Sequence, residues 1–122
     1  MAKFLHDDVL DGALNIIKNN ANLMTVCNAQ PTTRTEAITT FKLADVAVAT
    51  GDFTIANGDT NGRKITCAAK NAVPIDTDGN AQYYALVDAT RLLLVSSCDP
   101  QQLTAGGTAD FPAWKYETAS PT

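Results

Sequence analysis

"AQYYALVDATRLLLVSSC", residues 81–98, is the stretch whose reading decides the fold. Two apolar runs, rich in β-branched and aromatic side chains, flank the turn-forming residues Asp88, Ala89 and Thr90. That pattern specifies an antiparallel hairpin. It is the most apolar part of the chain. Side chains alternate along a strand, so Tyr83 and Tyr84 must point to opposite faces, and one of them is expected to face outward toward a partner.

Working outward toward the start of the chain, residues 41–71, "FKLADVAVATGDFTIANGDTNGRKITCAAKN", alternate in the same way. Val46 and Val48 share a face, as do Phe53 and Ile55, and Ile65 and Cys67. Earlier still, "LMTVC" (23–27) is short, apolar and β-branched enough for a buried strand. Residues 33–38 read as a loop with one helical turn, because Thr33 and Glu36 have capping-box spacing while their neighbours prefer a strand. Residues 7–19, "DDVLDGALNIIKN", repeat Val9, Leu10, Ala13, Leu14, Ile16 and Ile17 at helical spacing, with acids in the first turn. This is an amphipathic helix, expected to pack on the sheet that 23–27 joins. Gly12 inside it either weakens the helix or admits another backbone.

Beyond the hairpin, "DPQQLTAGGTADFPAWKYETASPT" (99–122) carries a turn at Asp99-Pro100, a loop tip at Gly106-Gly107, and a last strand with Phe111, Trp114 and Tyr116. Pro121 is expected to keep the tail from pairing further. Short strands at this spacing predict a mainly β, α+β fold: a compact antiparallel β-sandwich or small barrel with one N-terminal amphipathic helix. The 122 residues form one domain, with 1–6 and 117–122 as candidate docking arms.

Composition narrows the function classes. A net charge of −4 and an isoelectric point near 4.7, with scattered basic residues, exclude a nucleic-acid groove. No apolar run approaches the ~20 residues of a membrane helix. The opening "MAKFLHDDVLDG" places acids where a signal peptide is apolar, so the protein is expected to stay where it is made. Cys27, Cys67 and Cys98 are widely spaced and odd in number, which reads as buried free thiols.

"IDTDGN" (75–80) and "NGDTNG" (57–62) look at first like calcium loops. Counting twelve from Asp76 reaches Val87, and from Asp59 reaches Lys70, where a bidentate glutamate is required. Both stretches read as turns; the remaining option is weak calcium binding through Asp59, Asp76 and Asp78. His6 is the sole histidine and flanks the helix, so Ser-His-Asp, Cys-His and zinc constellations lack parts. "TAGGTAD" lacks the lysine of a phosphate loop. The chain is expected to be no enzyme, with no cofactor. Its partner-binding candidates are the apolar or aromatic Phe4, Leu5, Tyr83, Tyr84, Trp114 and Tyr116.

Residues 4–33, "FLHDDVLDGALNIIKNNANLMTVCNAQPTT", 50–70, "TGDFTIANGDTNGRKITCAAK", and 83–122, with "YYALVD" and "FPAWKYE", carry a resemblance over nearly the whole chain. The chain resembles small virion structural proteins of tailed bacteriophages. The resemblance implies a capsid decoration, or cement, protein on the outer capsid surface, made in the host cytoplasm. It also implies the major capsid protein or another virion protein as partner, and a homo-oligomer, with a trimer preferred. A tail or head-to-tail component is the near alternative. A carbohydrate-binding surface module using Trp114 and its aromatic neighbours is the alternative from a different class.

Overall fold

A computed structural model describes residues 4–119. Helix α1 spans Asp7–Asn20. Nine strands follow among the described residues: β1 Leu23–Cys27, β2 Lys42–Ala47, β3 Phe53–Asn57, β4 Arg63–Cys67, β5 Lys70–Pro74, β6 Gly79–Val87, β7 Leu92–Leu103, β8 Thr108–Phe111 and β9 Trp114–Thr118. All pairings are antiparallel. The strands make a four-stranded sheet in the order β2-β1-β6-β7, a three-stranded sheet β3-β4-β9 and a two-stranded ribbon β5-β8. The result is the mainly β, sandwich-like α+β fold that the alternation predicts.

The hairpin at 81–98 forms β6 and β7. Its turn is locked by Asp88, whose Oδ1 accepts the N–H of Thr90 at 2.8 Å and of Arg91 at 2.6 Å, an Asx-type closure that a bare apolar link could not provide. The tyrosine pair splits as the alternation requires: Tyr84 enters the main core and Tyr83 stays half-buried. Both faces of β6 are nevertheless covered, because the segment after β1 folds back as one helical turn, Glu36–Thr40, over the sheet's outer side. There Ala37 packs with Ala85 and Val87, and Ile38, Leu92 and Val95 border them. Double coverage explains why the second half of β6 reads as a continuous apolar run.

That turn begins as the sequence spacing predicts, with a modification. Thr33 Oγ1 accepts the Glu36 N–H at 3.1 Å, while the Glu36 carboxylate reaches Thr32 rather than the capping residue. The turn closes with a wide bond from Phe41 N–H to the Glu36 carbonyl at 2.9 Å.

Three expectations are corrected. The principal contacts of α1 are with β3 and β4 rather than with the sheet of β1. The reason is polar anchoring. Asp11 takes Arg63 in two hydrogen bonds of 2.8 and 3.2 Å, and Lys18 Nζ donates to the Phe53 carbonyl at 2.7 Å. Asp99-Pro100 is no turn but a bulge inside β7: Tyr83 pairs Ser97 and Ala81 pairs Gln101, so Cys98, Asp99 and Pro100 stand against Gln82 alone. β7 is the sheet's last strand, where a proline's missing N–H costs no ladder bond. Glu117 and Thr118, assigned to a docking arm, instead pair with Lys64 and Arg63 in β9. The rest of that arm, 120–122 with Pro121, and residues 1–3 of the other lie outside the described residues.

One core unites the layers. Leu14 and Ile17 of α1, Met24 and Val26 of β1, Leu43 of β2, Phe53 and Ile65 of the second sheet, and Phe111 of β8 belong to a single buried cluster. Removing side chains of this size from water stabilises by about 1.5–3 kcal/mol each. The turn at 57–62 closes β3 onto β4, with Gly58 N–H donating to the Gly62 carbonyl at 2.9 Å. The 75–80 stretch is also a turn, but a crossing one: β5 pairs β8, and the chain passes under Leu43, whose carbonyl accepts Asp76 N–H at 2.8 Å, before entering β6.

Candidate functional site

The helix carries two apolar stripes side by side. Leu10, Leu14 and Ile17, at i, i+4 and i+7, form the buried one. Val9, Ala13 and Ile16 lie about 100° around the axis, one residue earlier in each case, and are exposed. The sequence pattern merged the two into one face. The structure separates them, because β3 and β4 cover a width of only one stripe.

The second stripe borders a groove of about 350 Å³ lined by Ala13, Ile16, Leu93, Leu94, Tyr116 and Thr118, among others. It runs between α1 and two strands that end their sheets, β7 and β9. The exposed large hydrophobic residues are Phe4 at 83%, Val9 at 58%, Ile16 at 48%, Tyr116 at 41% and Leu5 at 39%, all on α1, in the two residues before its cap, or on β9; of these, Ile16 and Tyr116 line the groove. Phe4, Leu5 and Tyr116 were legible as candidates. Val9 and Ile16 were missed, since helical spacing alone does not tell which apolar stripe a sheet will cover.

Tyr84 and Trp114 lie elsewhere, at a second concavity of about 550 Å³ lined with Ser97, Cys98, Asp99, Pro100, Gln101 and Pro112. Tyr84 is buried and forms its floor, so it is not a free docking residue. Its ring meets Phe111 edge-on at 5.9 Å and Trp114 at 5.3 Å, and the Trp114 Nε1–H donates to Met24 Sδ at 3.4 Å. One indole face is thereby used internally and the half-buried ring lines the wall. Burial pushes the Tyr84 hydroxyl up to about 12, with neighbouring Cys98 and Asp99 adding to the shift.

The thiols offer no activated nucleophile. Cys27 is buried against Thr25 and the Ala37 carbonyl, and burial raises its pKa. Burial pushes Cys67 to about 11. Cys98 is half-buried rather than buried, because the bulge lifts it to the wall of the Trp114 concavity, and its pKa too is raised by desolvation.

The three carboxylates of the calcium option are not brought together. Asp59 pairs with Lys64 at 2.8 Å and with Lys115; Asp76 pairs with Lys42 at 3.3 Å; Asp78 accepts the Ala105 N–H at 2.6 Å. No group of three or more His, Cys, Asp or Glu side chains able to hold a metal occurs among the described residues. His6 caps α1, its Nδ1 accepting the Asp8 N–H at 3.0 Å. No helix of the described residues is long and apolar enough to cross a membrane.

Compared with protein-family models, with curated proteins and with solved structures, the chain matches none of them.

Proposed function

We propose that this chain is a non-enzymatic virion structural protein: a capsid decoration subunit that docks by its α1–β9 face on a lattice of major capsid protein. The observation that carries the reading is the exposure of Ile16 and Tyr116 in one apolar groove, with Val9, Leu5 and Phe4 exposed further along α1 and just before its cap. An apolar groove flanked by exposed aliphatic and aromatic side chains fits burial by another protein better than it fits small-molecule chemistry. The sequence resemblance to tailed-phage virion proteins supplies the choice of lattice.

The test is to mix purified protein with phage shells that lack it and compare sedimentation and heat resistance. Saturable, stoichiometric co-sedimentation with stabilised shells is the expected result. Absence of binding to shells overturns the decoration reading, and binding to isolated tails or necks replaces it with the tail or head-to-tail alternative. The carbohydrate reading rests on the concavity at Trp114. It predicts quenching of tryptophan emission by added glycans, which the docking reading does not.

A further inference from the structure

We propose that the outer edge of β7 pairs antiparallel with β7 of a second copy of this chain, about a twofold axis at Val95. β7 ends the four-stranded sheet, so the backbone N–H and C=O groups on its outer side have no strand partner among the described residues. It is also the longest strand among the described residues, 12 residues from Leu92 to Leu103. Solitary sheet edges are guarded by charge, proline or bulges. On β7 the bulges and Pro100 stand at the ends of the regular stretch, and residues 92–98, "LLLVSSC", carry no charge, the charges standing at Arg91 and Asp99.

Those ends make the edge self-complementary. Antiparallel pairing about Val95 sets Leu94 against Ser96 of the second copy; the extra residue at Leu93 then brings Leu92 level with Ser97, and Arg91 level with the bulge that carries Asp99. The twofold axis repeats that opposite-charge pair at the other end. Arg91 is half-exposed and holds Asp88 through Nε at 2.7 Å, its two terminal nitrogens making no hydrogen bond among the described residues. Asp99 is exposed and has no ion-pair partner among the described residues. A shift of register by two residues loses both pairs, so charge selects the alignment.

The bulges at Leu93 and at Cys98–Pro100 confine the regular stretch of β7 to Leu94–Ser97. Four residues of straight edge give a modest association, and the charged ends then contribute a large share of it. Pairing would join two four-stranded sheets into one of eight strands. A strand laid along β7 also runs beside the groove that Leu93 and Leu94 help to line. A twofold dimer departs from the trimer implied by the resemblance.

Sedimentation velocity on the full chain alone, from micromolar to about 0.5 mM, tests this independently of shell binding, with micromolar to submillimolar dissociation expected for a short edge interface. Arg91→Glu and Asp99→Arg, each alone, are expected to weaken the dimer about tenfold, and the two combined to restore it to within about threefold of wild type. Ser97→Lys, at an exposed position, places a charge on the edge and is expected to weaken it at least as much. Far-UV circular dichroism identifies any variant that fails to fold. If Arg91→Glu disturbs its turn, Asp99→Arg and Ser97→Lys still decide. A chain that stays monomeric throughout, a dimer unmoved by Asp99→Arg and Ser97→Lys, or a folded double variant that fails to restore it overturns the proposal.

Discussion

At the scale of single residues, two glycines that look alike in the sequence play opposite parts. A β-carbon added at Gly12 in α1 meets nothing within 4 Å, so no neighbouring backbone requires the glycine. Gly12→Ala is therefore expected to stabilise the fold by about 0.5–1 kcal/mol, chiefly by restricting the unfolded chain. Gly62 sits at φ +69°, and a β-carbon there collides with the Thr118 carbonyl oxygen of β9. Both the left-handed backbone and the collision penalise a side chain, so Gly62→Ala should destabilise by roughly 1–3 kcal/mol. Urea midpoints read at unchanged slope decide both signs. The sequence left Gly12 open between weakness and close approach, because distance to another backbone is a tertiary fact. The turn at Gly62, by contrast, was legible from Asn61-Gly62 alone.

At the scale of elements, the helix separates packing from surface. Leu14 is 1% exposed within the core and Ile16, two residues on, is 48% exposed on the second stripe. Leu14→Ala is expected to cost about 2–5 kcal/mol and Ile16→Ala less than about 1 kcal/mol. If the α1–β9 face docks on a lattice, Ile16→Ala should nonetheless weaken shell co-sedimentation, and Leu14→Ala should not beyond its effect on the folded fraction. Thermal unfolding monitored alongside binding separates the two effects. Elements with a strong local signal were legible: α1 from its acidic first turn and 3.6-residue spacing, β1 from "LMTVC", and the β6–β7 hairpin from the turn chemistry of Asp88. Hidden were properties set by neighbours. Asp99-Pro100 carries the local code of a turn, yet at a free edge the same residues fit a bulge. Which sheet receives α1 was decided by Arg63 and Lys18, charges whose partners lie far along the chain. For the candidate site, an aromatic residue's type pointed equally to Tyr116 on the surface and Tyr84 in the core. Strand alternation split Tyr83 from Tyr84 without saying which face was inside.

For the whole molecule, the two larger sheets and α1 share one core, so acid and base should unfold it as a unit and the titrating ties add across the structure. On the acid side, Lys70 beside Asp52 holds that carboxyl below its ordinary range, and the Thr90 N–H together with Arg91 does the same for Asp88. A folded-state pKa below the unfolded one means that unfolding takes up protons. The stability these groups supply is thus present above the unfolded carboxylate value, ~3.9, and is lost as pH falls through the lower folded values. On the alkaline side, Tyr84 is raised from 10.0 to about 12 and Cys67 from 9.0 to about 11, both first by burial. These groups stay neutral when folded and ionise more readily when unfolded, so their contribution is full below the unfolded values and declines as pH rises toward the folded ones. Stability should therefore hold a plateau through neutral pH, fall below about pH 4, and fall again above about pH 9–10. Chemical denaturation across that range measures it. Asp52→Asn should lower the plateau and flatten the acid limb, while Tyr84→Phe should soften the alkaline limb and leave the acid limb unchanged. An acid limb as steep in Asp52→Asn as in wild type would place the acid sensitivity outside the Asp52–Lys70 tie that joins the turn before β3 to β5.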